Sequence, residues 1–319
     1  MKMLVTGGYG FIGSNFINLA SEISNDIINI DSVTYAANRN NISNSIKVKN
    51  IEIDIANYEL LERTILDFSP DVVVHFAAES HVDNSIENPY VFLNTNIFGT
   101  YNLLQSCSKL KNKFHYIHIS TDEVFGDLDK EGFFTEETHY DPKSPYSASK
   151  ASSDHLVRAW NNTYGFPATI VNCCNNYGPN QHKEKLIPKI ITNCFSNKSI
   201  PIYGKGDNIR DWIFVEDFCK AILLIAKNKE LSLNETFCIG ANQEFTNIEL
   251  TKNICSIINN NFNLDYDCLD LITYVDDRLG HDFRYAIDAT KIKKKLNWSA
   301  EYSFDAGIIK TINHYKDNL

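Results

Sequence analysis

Short apolar runs alternate with amphipathic segments along the first two-thirds of the chain. Residues 71–76 form a nearly continuous apolar run, which is typical of a parallel strand covered on both faces. Strands are predicted at the short apolar runs: residues 3–6, 27–31, 51–54, 71–76, 114–120 and 166–172. Helices are predicted at the amphipathic segments: residues 11–23, 58–68, 89–110 and 146–164. This alternation favours a parallel sheet with helices on its faces.

The alternation is lost after about residue 175, where prolines and glycines separate shorter elements. Strands are predicted there at residues 213–215, 236–239 and 271–275, and helices at 215–227, 247–259 and 303–315. No low-complexity linker is present, so we expect this part to pack on the sheet. The sequence therefore predicts an α/β protein with a Rossmann-type doubly wound parallel sheet over residues 1–175. A smaller C-terminal α/β part over residues 176–319 is expected to return some segments to that sheet.

The composition is that of an ordinary globular protein. Of the 319 residues, 43% are hydrophobic and 22% are charged. The net charge of −10 argues against nucleic acid as a partner, so a nucleotide ligand would need local basic residues. No stretch reaches the roughly 20 apolar residues of a membrane span. The opening residues run directly into a strand, and we expect neither a signal peptide nor membrane association.

Eight cysteines are scattered without Cys-x-x-Cys spacing. Cys173 and Cys174 are adjacent, which is poor geometry for a disulfide. Buried thiols in a reducing compartment, and hence a cytoplasmic protein, are the expectation. The histidines show no paired spacing with cysteines or carboxylates, so no metal site is expected.

A glycine-rich turn joins the first predicted strand to the first predicted helix. Gly7, Gly10 and Gly13 have the spacing G-x-x-G-x-x-G. Such a turn lets the N–H groups at the helix start, including those of Phe11 and Ile12, approach a pyrophosphate, where the helix dipole favours an anion. The alternative is a turn that serves packing only.

Two carboxylates follow the next strands at places that suit a dinucleotide. Asp31 ends the second predicted strand, where a carboxylate accepts from ribose hydroxyls and repels a 2′-phosphate. NAD is therefore predicted rather than NADP. Asp54 and Ile55 are predicted to close the third strand and to contact the adenine amine and ring. The alternative for Asp31 is a solvated strand end.

Small residues after the fourth strand leave space for a ligand. Ala77, Ala78 and Ser80 follow that strand, and Thr95 lies in the helix after it. These positions are candidate cofactor contacts, although small residues at a strand–helix junction can also serve packing alone.

Two residue pairs indicate the chemistry. Tyr146 and Lys150 are four residues apart, so they share a helix face, and a lysine there can lower the pKa of the phenol and make it a usable base. Asp122 and Glu123 follow an apolar strand, where one carboxyl group can donate a proton and the other accept one. Both pairs together predict oxidation of a carbinol followed by loss of water. The alternatives are solvated carboxylates and a surface tyrosine and lysine.

These motifs together resemble the extended short-chain dehydrogenase/reductase superfamily, and within it the dTDP-glucose 4,6-dehydratase family. The resemblance extends from residue 4 to about residue 288 and is carried by these segments: 77–83, 120–126, 144–150, 175–179, 184–188, 209–212 and 277–282. Position 9 is tyrosine where the family usually has alanine, and Leu279 replaces a usual proline. Lys183 likewise replaces a proline and Cys174 a serine. These departures leave the nucleotide preference open.

The resemblance implies a role for each catalytic residue. Tyr146 would take the proton from the sugar C4 hydroxyl, which Thr121 would hydrogen-bond. Glu123 would abstract the C5 proton, and a protonated Asp122 would donate to the departing C6 hydroxyl. The hydride stored on NAD would return to C6. Thr34 and Asn176 join the expected cofactor contacts, and Tyr146 and Lys150 belong to both sets.

The substrate diphosphate needs specific cations and amides on an acidic protein. Arg210 offers a planar fork for phosphate oxygens. The resemblance implies that the following residues join it in binding the substrate: Ser80, Thr121, Asn175, Lys185, Leu186, Pro201, Tyr203, Asn247, Arg278 and His281. The alternatives are an ion pair of Arg210 with Asp211, a core histidine at 281 and ordinary packing of Tyr203.

Family analogy also implies a homodimer, formed by the helices predicted at residues 89–110 and 146–164. Other functions remain open: a CDP- or UDP-sugar 4,6-dehydratase, a 4-epimerase, a decarboxylase, or an NAD-binding scaffold without catalysis.

Overall fold

The computed structural model describes residues 1–277 and 280–318. The strands of these residues are β1 (Met3–Thr6), β2 (Ile27–Asp31), β3 (Val48–Glu52), β4 (Val72–His75), β5 (His115–Thr121), β6 (Ala168–Cys173), β7 (Asn175–Tyr177), β8 (Ile200–Tyr203), β9 (Ile209–Phe214), β10 (Thr236–Ile239), β11 (Glu244–Thr246), β12 (Ile272–Val275) and β13 (Arg284–Tyr285).

The α-helices are α1 (Phe11–Ala20), α2 (Tyr58–Phe68), α3 (Val82–Glu87), α4 (Pro89–Phe92), α5 (Thr100–Cys107), α6 (Pro145–Tyr164), α7 (Leu186–Phe195), α8 (Val215–Lys227), α9 (Lys229–Ser232), α10 (Asn247–Asn261), α11 (Thr290–Leu296) and α12 (Phe304–Asp317). A π-helix covers Leu93–Gly99, and 3-10 turns cover Arg39–Asn41, Asp122–Phe125 and Cys268–Leu271.

A seven-stranded parallel sheet forms the centre of the molecule, in the order β10-β6-β5-β4-β1-β2-β3. Every residue of β1, β4, β5 and β6 is buried, as expected for strands with helices on both faces. The chain moves from β1 outward to β3 and then returns to β4 on the other side of β1. This reversal confirms the predicted Rossmann-type doubly wound sheet and leaves a crevice at the carboxyl ends of β1 and β4.

Helix α6 is well specified by its sequence. Ser144 caps its N-terminus by accepting from the backbone of Ser147, and Pro145 occupies the first turn. Gly165 ends the helix in the left-handed conformation at φ 64°. The first turn of α6 is therefore held rigidly, and this turn carries Tyr146.

Several predicted boundaries were wrong, among them the strand predicted at residues 213–215, which is β9 at Ile209–Phe214. Strand β3 ends at Glu52, two residues before Asp54, and α1 ends at Ala20 rather than at residue 23. The single helix predicted over residues 89–110 is divided by the π-helix Leu93–Gly99. Periodicity does not reveal such a division, because the side chains of a π-helix remain amphipathic while the backbone hydrogen bonds shift by one residue.

The C-terminal part contains a smaller sheet of β11, β9, β13 and β7, together with the pair β8–β12. A separate hydrophobic core lies beneath it, between α7, α10 and α12. Strand β10 belongs instead to the large sheet, where it pairs with β6. The division near residue 175 stays a prediction.

Among the helices of the described residues, none combines the length and the apolar character needed to cross a membrane.

Candidate active site

The glycine turn brings the start of α1 against the loop after β4. Gly7 has φ +74°, and a Cβ there would lie 2.6 Å from the backbone N of Ala77. A Cβ on Gly13 would lie 2.2 Å from the carbonyl oxygen of Gly7. Close backbone packing therefore requires both glycines. Gly10 is less confined, since its Cβ would be 3.3 Å from the Gly7 oxygen.

The N-terminus of α1 suits an anion. Within the described residues no side chain caps it, and its first turn carries no acidic residue. The first N–H groups of the helix, those of Phe11, Ile12 and Gly13, are thus directed at the crevice. A pyrophosphate fits this arrangement because the helix dipole favours negative charge there.

Asp31 is a fixed group rather than a solvated strand end. It is 7% exposed, and its carboxylate accepts from the backbone N–H of Tyr9 at 2.9 Å and of Val33 at 2.8 Å. Burial raises the pKa of Asp31, although both hydrogen bonds oppose the shift. The carboxylate therefore stands beside the glycine turn, where a ribose would lie.

The other predicted cofactor contacts lie around the same edge. Asp54 follows β3 and accepts from the Ala56 N–H at 2.8 Å. Ile55 is 4% exposed and lies against Gly99, so its side chain is part of the core. Thr34 is exposed in the loop after β2, and Thr95 is half-buried in the π-helix.

Asn96 of the π-helix fixes the loop after β4. Its side chain accepts from the Glu79 N–H at 2.9 Å and donates to the Glu79 carbonyl at 3.0 Å and to Ser149 Oγ at 2.8 Å. Ser149 in turn donates to the carbonyl of Tyr146 at 2.7 Å. Asn96 therefore joins the segment that carries Ala77, Ala78 and Ser80 to the helix that carries the tyrosine.

Tyr146 and Lys150 lie on the buried face of α6. The Lys150 ammonium donates to the Ile119 carbonyl at 2.8 Å, and burial lowers its pKa against the opposing charge of Asp154. Burial raises the pKa of the Tyr146 phenol, and the charge of Glu123 raises it further, while a hydrogen bond with the Thr121 side chain lowers it. In the protein alone, burial thus outweighs the lowering expected from the lysine.

The Asp122–Glu123 pair is not a solvated pair. Asp122 is 2% exposed, and burial followed by the charge of Glu123 raises the pKa of its carboxyl group well above the usual range. Thr121 Oγ1 donates to Asp122 Oδ1 at 3.3 Å and accepts from the Glu123 N–H at 3.3 Å. Asp122 Oδ2 has no hydrogen-bond partner among the described residues. Burial therefore favours the protonated form of Asp122, while Glu123 lines the cleft.

The cleft above Glu123 has a volume of about 350 Å³. Nine of the eleven predicted substrate contacts line it: Ser80, Asn175, Lys185, Leu186, Pro201, Tyr203, Arg210, Asn247 and His281. Thr121 lies beneath it beside Tyr146, and Arg278 falls outside the described residues. Segments that are more than 200 residues apart in the sequence therefore meet in one cavity.

Arg210 is not paired with Asp211. The Asp211 carboxylate accepts instead from the backbone N–H of Ala241 at 3.2 Å and of Gln243 at 2.8 Å. Arg210 donates to backbone carbonyls and stacks on Tyr285, with 4.1 Å from the guanidinium carbon to the ring centroid. The ion-pair alternative for Arg210 is wrong, because adjacent residues of β9 point to opposite sides of the strand.

His281 and Tyr203 lie together at the mouth of the cleft. His281 Nδ1 is 2.8 Å from Asp277 Oδ1, and its ring meets that of Tyr203 edge-on at 6.4 Å. Tyr203 is 39% exposed, so it does not serve core packing.

Two buried amide oxygens accept no hydrogen bond from the described part of the chain. Asn175 Oδ1 and Asn176 Oδ1 are buried without a hydrogen-bond partner there. Asn176 Nδ2 already donates to the Cys174 carbonyl at 3.1 Å. These oxygens suit N–H or O–H donors of bound ligands, as the predicted contacts with nicotinamide and substrate require.

Sequence reasoning missed several residues that line the cleft: His81, Gln181, Glu184, Trp212, Asp282 and Tyr285. Glu184 accepts from the hydroxyl of Tyr35 at 3.2 Å, and Tyr285 donates to Asp282. Most of the missed residues are within or beside the motif segments, so the segments themselves were the available signal.

The sequence model of the GDP-mannose 4,6-dehydratase family matches residues 4–311 of the chain. The chain is 45% identical to dTDP-glucose 4,6-dehydratase 1 of Escherichia coli K12 over 339 aligned positions, which cover 100% of the chain and 93% of that protein. The crystal structure of DesIV, a dTDP-glucose 4,6-dehydratase from Streptomyces venezuelae with NAD bound, superposes with a TM-score of 0.92 at 40% identity and covers 100% of this chain and 98% of that one.

The fold is also similar to that of an epimerase. A UDP-glucose 4-epimerase from Thermotoga maritima, solved with UDP-glucose, has a TM-score of 0.91 at 27% identity over 100% of this chain and 99% of that chain. Overall shape therefore separates dehydratases from epimerases poorly.

Proposed function

Since the chain belongs to the GDP-mannose 4,6-dehydratase family and aligns over its full length with dTDP-glucose 4,6-dehydratases, we propose that it converts dTDP-glucose to dTDP-4-dehydro-6-deoxyglucose and water. The observation that carries this proposal is the buried Asp122, whose pKa is raised, next to Glu123, which lines the cleft. Oxidation alone needs no such pair, whereas elimination of water needs both an acid and a base.

NAD supplies the hydride chemistry when it is bound, by accepting a hydride from sugar C4 and returning it to C6. The residues that would hold it are the uncapped start of α1 for the pyrophosphate and Asp31 for the ribose. Asn176 Oδ1 would accept from the carboxamide. Thr34, Asp54, Ile55, Ala77, Ala78 and Thr95 remain proposed contacts.

Tyr146 is the base of the first step. Its phenol would take the proton of the C4 hydroxyl, and Thr121 would hydrogen-bond the same oxygen. The positive charge of Lys150 stabilises the phenolate that this step requires. The attraction between opposite charges is strong in a buried site, where the dielectric constant is low.

Glu123 and Asp122 carry out the elimination. Once C4 is a ketone the C5 proton is acidic, and Glu123 would accept it. Asp122 would donate its proton to the C6 hydroxyl, which leaves as water when the C5–C6 double bond forms. Opposite protonation states in one carboxyl pair are a recurring arrangement for acid–base work.

The cleft residues would bind the nucleotide sugar. Arg210 provides the fork for the diphosphate, with Arg278 and His281 as further donors and Asn175 and Asn247 as amides. Lys185 precedes α7 and Leu186 begins it. Pro201 and Tyr203 would line the site of the nucleotide base. Ser80 would contact sugar hydroxyls.

We further propose a homodimer that acts in the cytoplasm. The surface near α4, the π-helix and α6 exposes large apolar side chains: Tyr90 (71%), Leu93 (40%), Phe98 (59%), Tyr101 (40%) and Tyr164 (68%). Large apolar side chains exposed on one part of a surface are typical of an interface. A two-fold four-helix contact through them is the proposed arrangement.

Mass spectrometry after incubation with dTDP-, UDP- and CDP-glucose, each with and without added NAD, tests the function. We expect the dTDP-sugar to lose one water most rapidly. A product of unchanged mass with an altered C4 configuration would identify an epimerase instead. If none of the three sugars is altered in the presence of NAD, the proposal is wrong.

A further inference from the structure

A buried carboxylate lies one helical turn beyond Lys150. Asp154 is fully buried, and Lys150 is 4% exposed. The Asp154 Oδ2 atom accepts from Ser120 Oγ at 2.8 Å, from the Tyr140 hydroxyl at 2.7 Å and from Asn172 Nδ2 at 3.3 Å. Three donors on one oxygen favour the ionised carboxylate. The pKa of Asp154 is lowered in spite of its burial, first through its contact with His118 and then through the charge of Lys150 and the Tyr140 hydroxyl.

The elements packed around Lys150 carry several titratable groups: Tyr146 and Asp154 on α6, His75 on β4, His118 on β5, Cys173 on β6, and Asp122 and Glu123 in the turn after β5. His118 Nε2 lies 3.1 Å from Asp154 Oδ1, but burial lowers the pKa of His118 to about 4. Burial also lowers the pKa of His75 well below its usual value and raises that of Cys173. Near neutral pH these three groups carry no charge.

The charged groups buried on this face of α6 are therefore the Lys150 ammonium and, one turn further along, the Asp154 carboxylate. Arg158 lies on the outer side, where its guanidinium donates to the Tyr140 hydroxyl at 2.8 Å. The charge of Glu123 acts on Tyr146. Of the charged groups that oppose the desolvation of Lys150, Asp154 has the largest effect.

We propose that Asp154 is a positioning residue whose buried carboxylate is the counter-ion that keeps Lys150 charged beside Tyr146. Its importance for turnover rests on the proposed function, whereas its effect on Lys150 does not. A buried ammonium without a counter-ion loses its proton readily. A neutral Lys150 would leave the phenol without a positive charge from the protein.

The direct test uses NMR to monitor the titration of Lys150 itself, in protein whose lysines are labelled with ¹³C at Cε. The Lys150 signal is the one that disappears in Lys150→Arg. We expect Lys150 to be charged at pH 7.5 in the unsubstituted protein, and to titrate about one pH unit or more lower in Asp154→Asn. An unchanged titration in a folded Asp154→Asn variant would overturn the proposal. Should that variant fail to fold, a neutral Lys150 at pH 7.5 in the unsubstituted protein would overturn it equally.

The matched control is Tyr140→Phe, which removes a hydrogen bond from the Asp154 carboxylate but keeps the charge. We expect the Lys150 titration of this variant to stay close to that of the unsubstituted protein. A shift as large as that of Asp154→Asn would show that disturbance of the cluster, rather than loss of charge, moves Lys150, and would reject the counter-ion role.

The pH dependence of kcat then tests the consequence for turnover. In Asp154→Asn the alkaline limb of the profile should move to lower pH with the Lys150 titration, while Tyr140→Phe should retain the original limb. A uniform loss of kcat at every pH would indicate a structural role only and would contradict the proposal. Because NMR does not depend on turnover, failure of the proposed dehydratase function would leave the shift of Lys150 intact.

Discussion

Arg210 is fixed against Tyr285 before any ligand arrives, with 4.1 Å between the guanidinium carbon and the ring centroid. Its Nη1 donates to the carbonyls of Ile209 at 2.7 Å and Phe283 at 3.2 Å, and its Nη2 donates to that of Asp282 at 2.9 Å. A side chain that is held in this way loses little conformational entropy when it binds a diphosphate.

Substitution of Arg210 by lysine should weaken substrate binding. Lysine keeps the charge but loses the planar fork and the stacking on Tyr285, so KM should rise about tenfold or more with a smaller change in kcat. Steady-state kinetics check this, with Arg63→Lys as a control because Arg63 is exposed on α2 and does not line the cleft. An unaltered KM would remove Arg210 from the diphosphate site.

Glu123→Gln should block turnover after the first oxidation. The amide cannot accept the C5 proton, so turnover should fall by roughly 10² or more. Oxidation at C4 does not need this carboxylate, and bound NADH should therefore accumulate when substrate is added, which is visible by absorbance. Turnover at the original rate would refute the assignment of Glu123 as the base.

Asp122→Asn is the partner substitution, because it replaces the proton donor by a group of the same shape. It should also slow elimination while C4 oxidation persists. If Asp122→Asn instead blocks oxidation and leaves no NADH signal, its proposed role as the acid toward C6 is wrong.

Asp122 should also make stability depend on pH. Its folded pKa is raised above the unfolded value, so the native state binds a proton that the unfolded state releases. The stability contribution of this group is present below its unfolded pKa and is lost as pH rises through the folded pKa. As pH rises from about 4, the unfolded pKa, the melting temperature of Asp122→Asn should therefore increase relative to that of the unsubstituted protein. Parallel curves from acid to alkaline pH would contradict a raised folded pKa.

The glycine turn permits a separation of folding from cofactor binding. Gly13→Ala should destabilise the protein severely, since its Cβ would be 2.2 Å from the Gly7 oxygen. Gly10→Ala should fold, because Gly10 has φ −73° and its Cβ would approach that oxygen only to 3.3 Å. Gly10→Ala should nevertheless weaken NAD binding about tenfold or more, since the methyl group would stand where the pyrophosphate approaches. Thermal unfolding and calorimetric titration with NAD measure the two effects; full affinity in Gly10→Ala would place the pyrophosphate elsewhere.

Asn96 should matter for both stability and the site. Asn96→Leu removes hydrogen bonds to the Glu79 backbone and to Ser149, and it should cost about 2–4 kcal/mol of the free energy of unfolding. Asn94→Leu, in the same π-helix but only half-buried, serves as the control. Denaturant unfolding of both variants checks the difference, and equal stability would mean that the loop after β4 is held by other contacts.

Local elements were predictable where the sequence pattern is strong. The helices at Tyr58–Phe68 and Val215–Lys227 begin and end at the predicted residues, because each has a regular apolar face. The short strands of the smaller sheet were not all predicted: β7, β11 and β13 have two or three residues each. Such strands exist through pairing with residues of β9 that are at least 33 positions away in the sequence, and no local pattern indicates that partner.

The amino-acid sequence by itself determined which chemical groups are available and in what local order: the glycine turn, the acidic pair, and the tyrosine and lysine on one helix face. Only the tertiary structure decided the state of those groups. Burial raises the pKa of Asp122, the packing of β9 turns Arg210 away from Asp211 and onto Tyr285, and the buried Asp154 acts by its charge on Lys150. The physical reason is that protonation and pairing depend on desolvation and on neighbours from distant segments, and these exist only after the chain has folded.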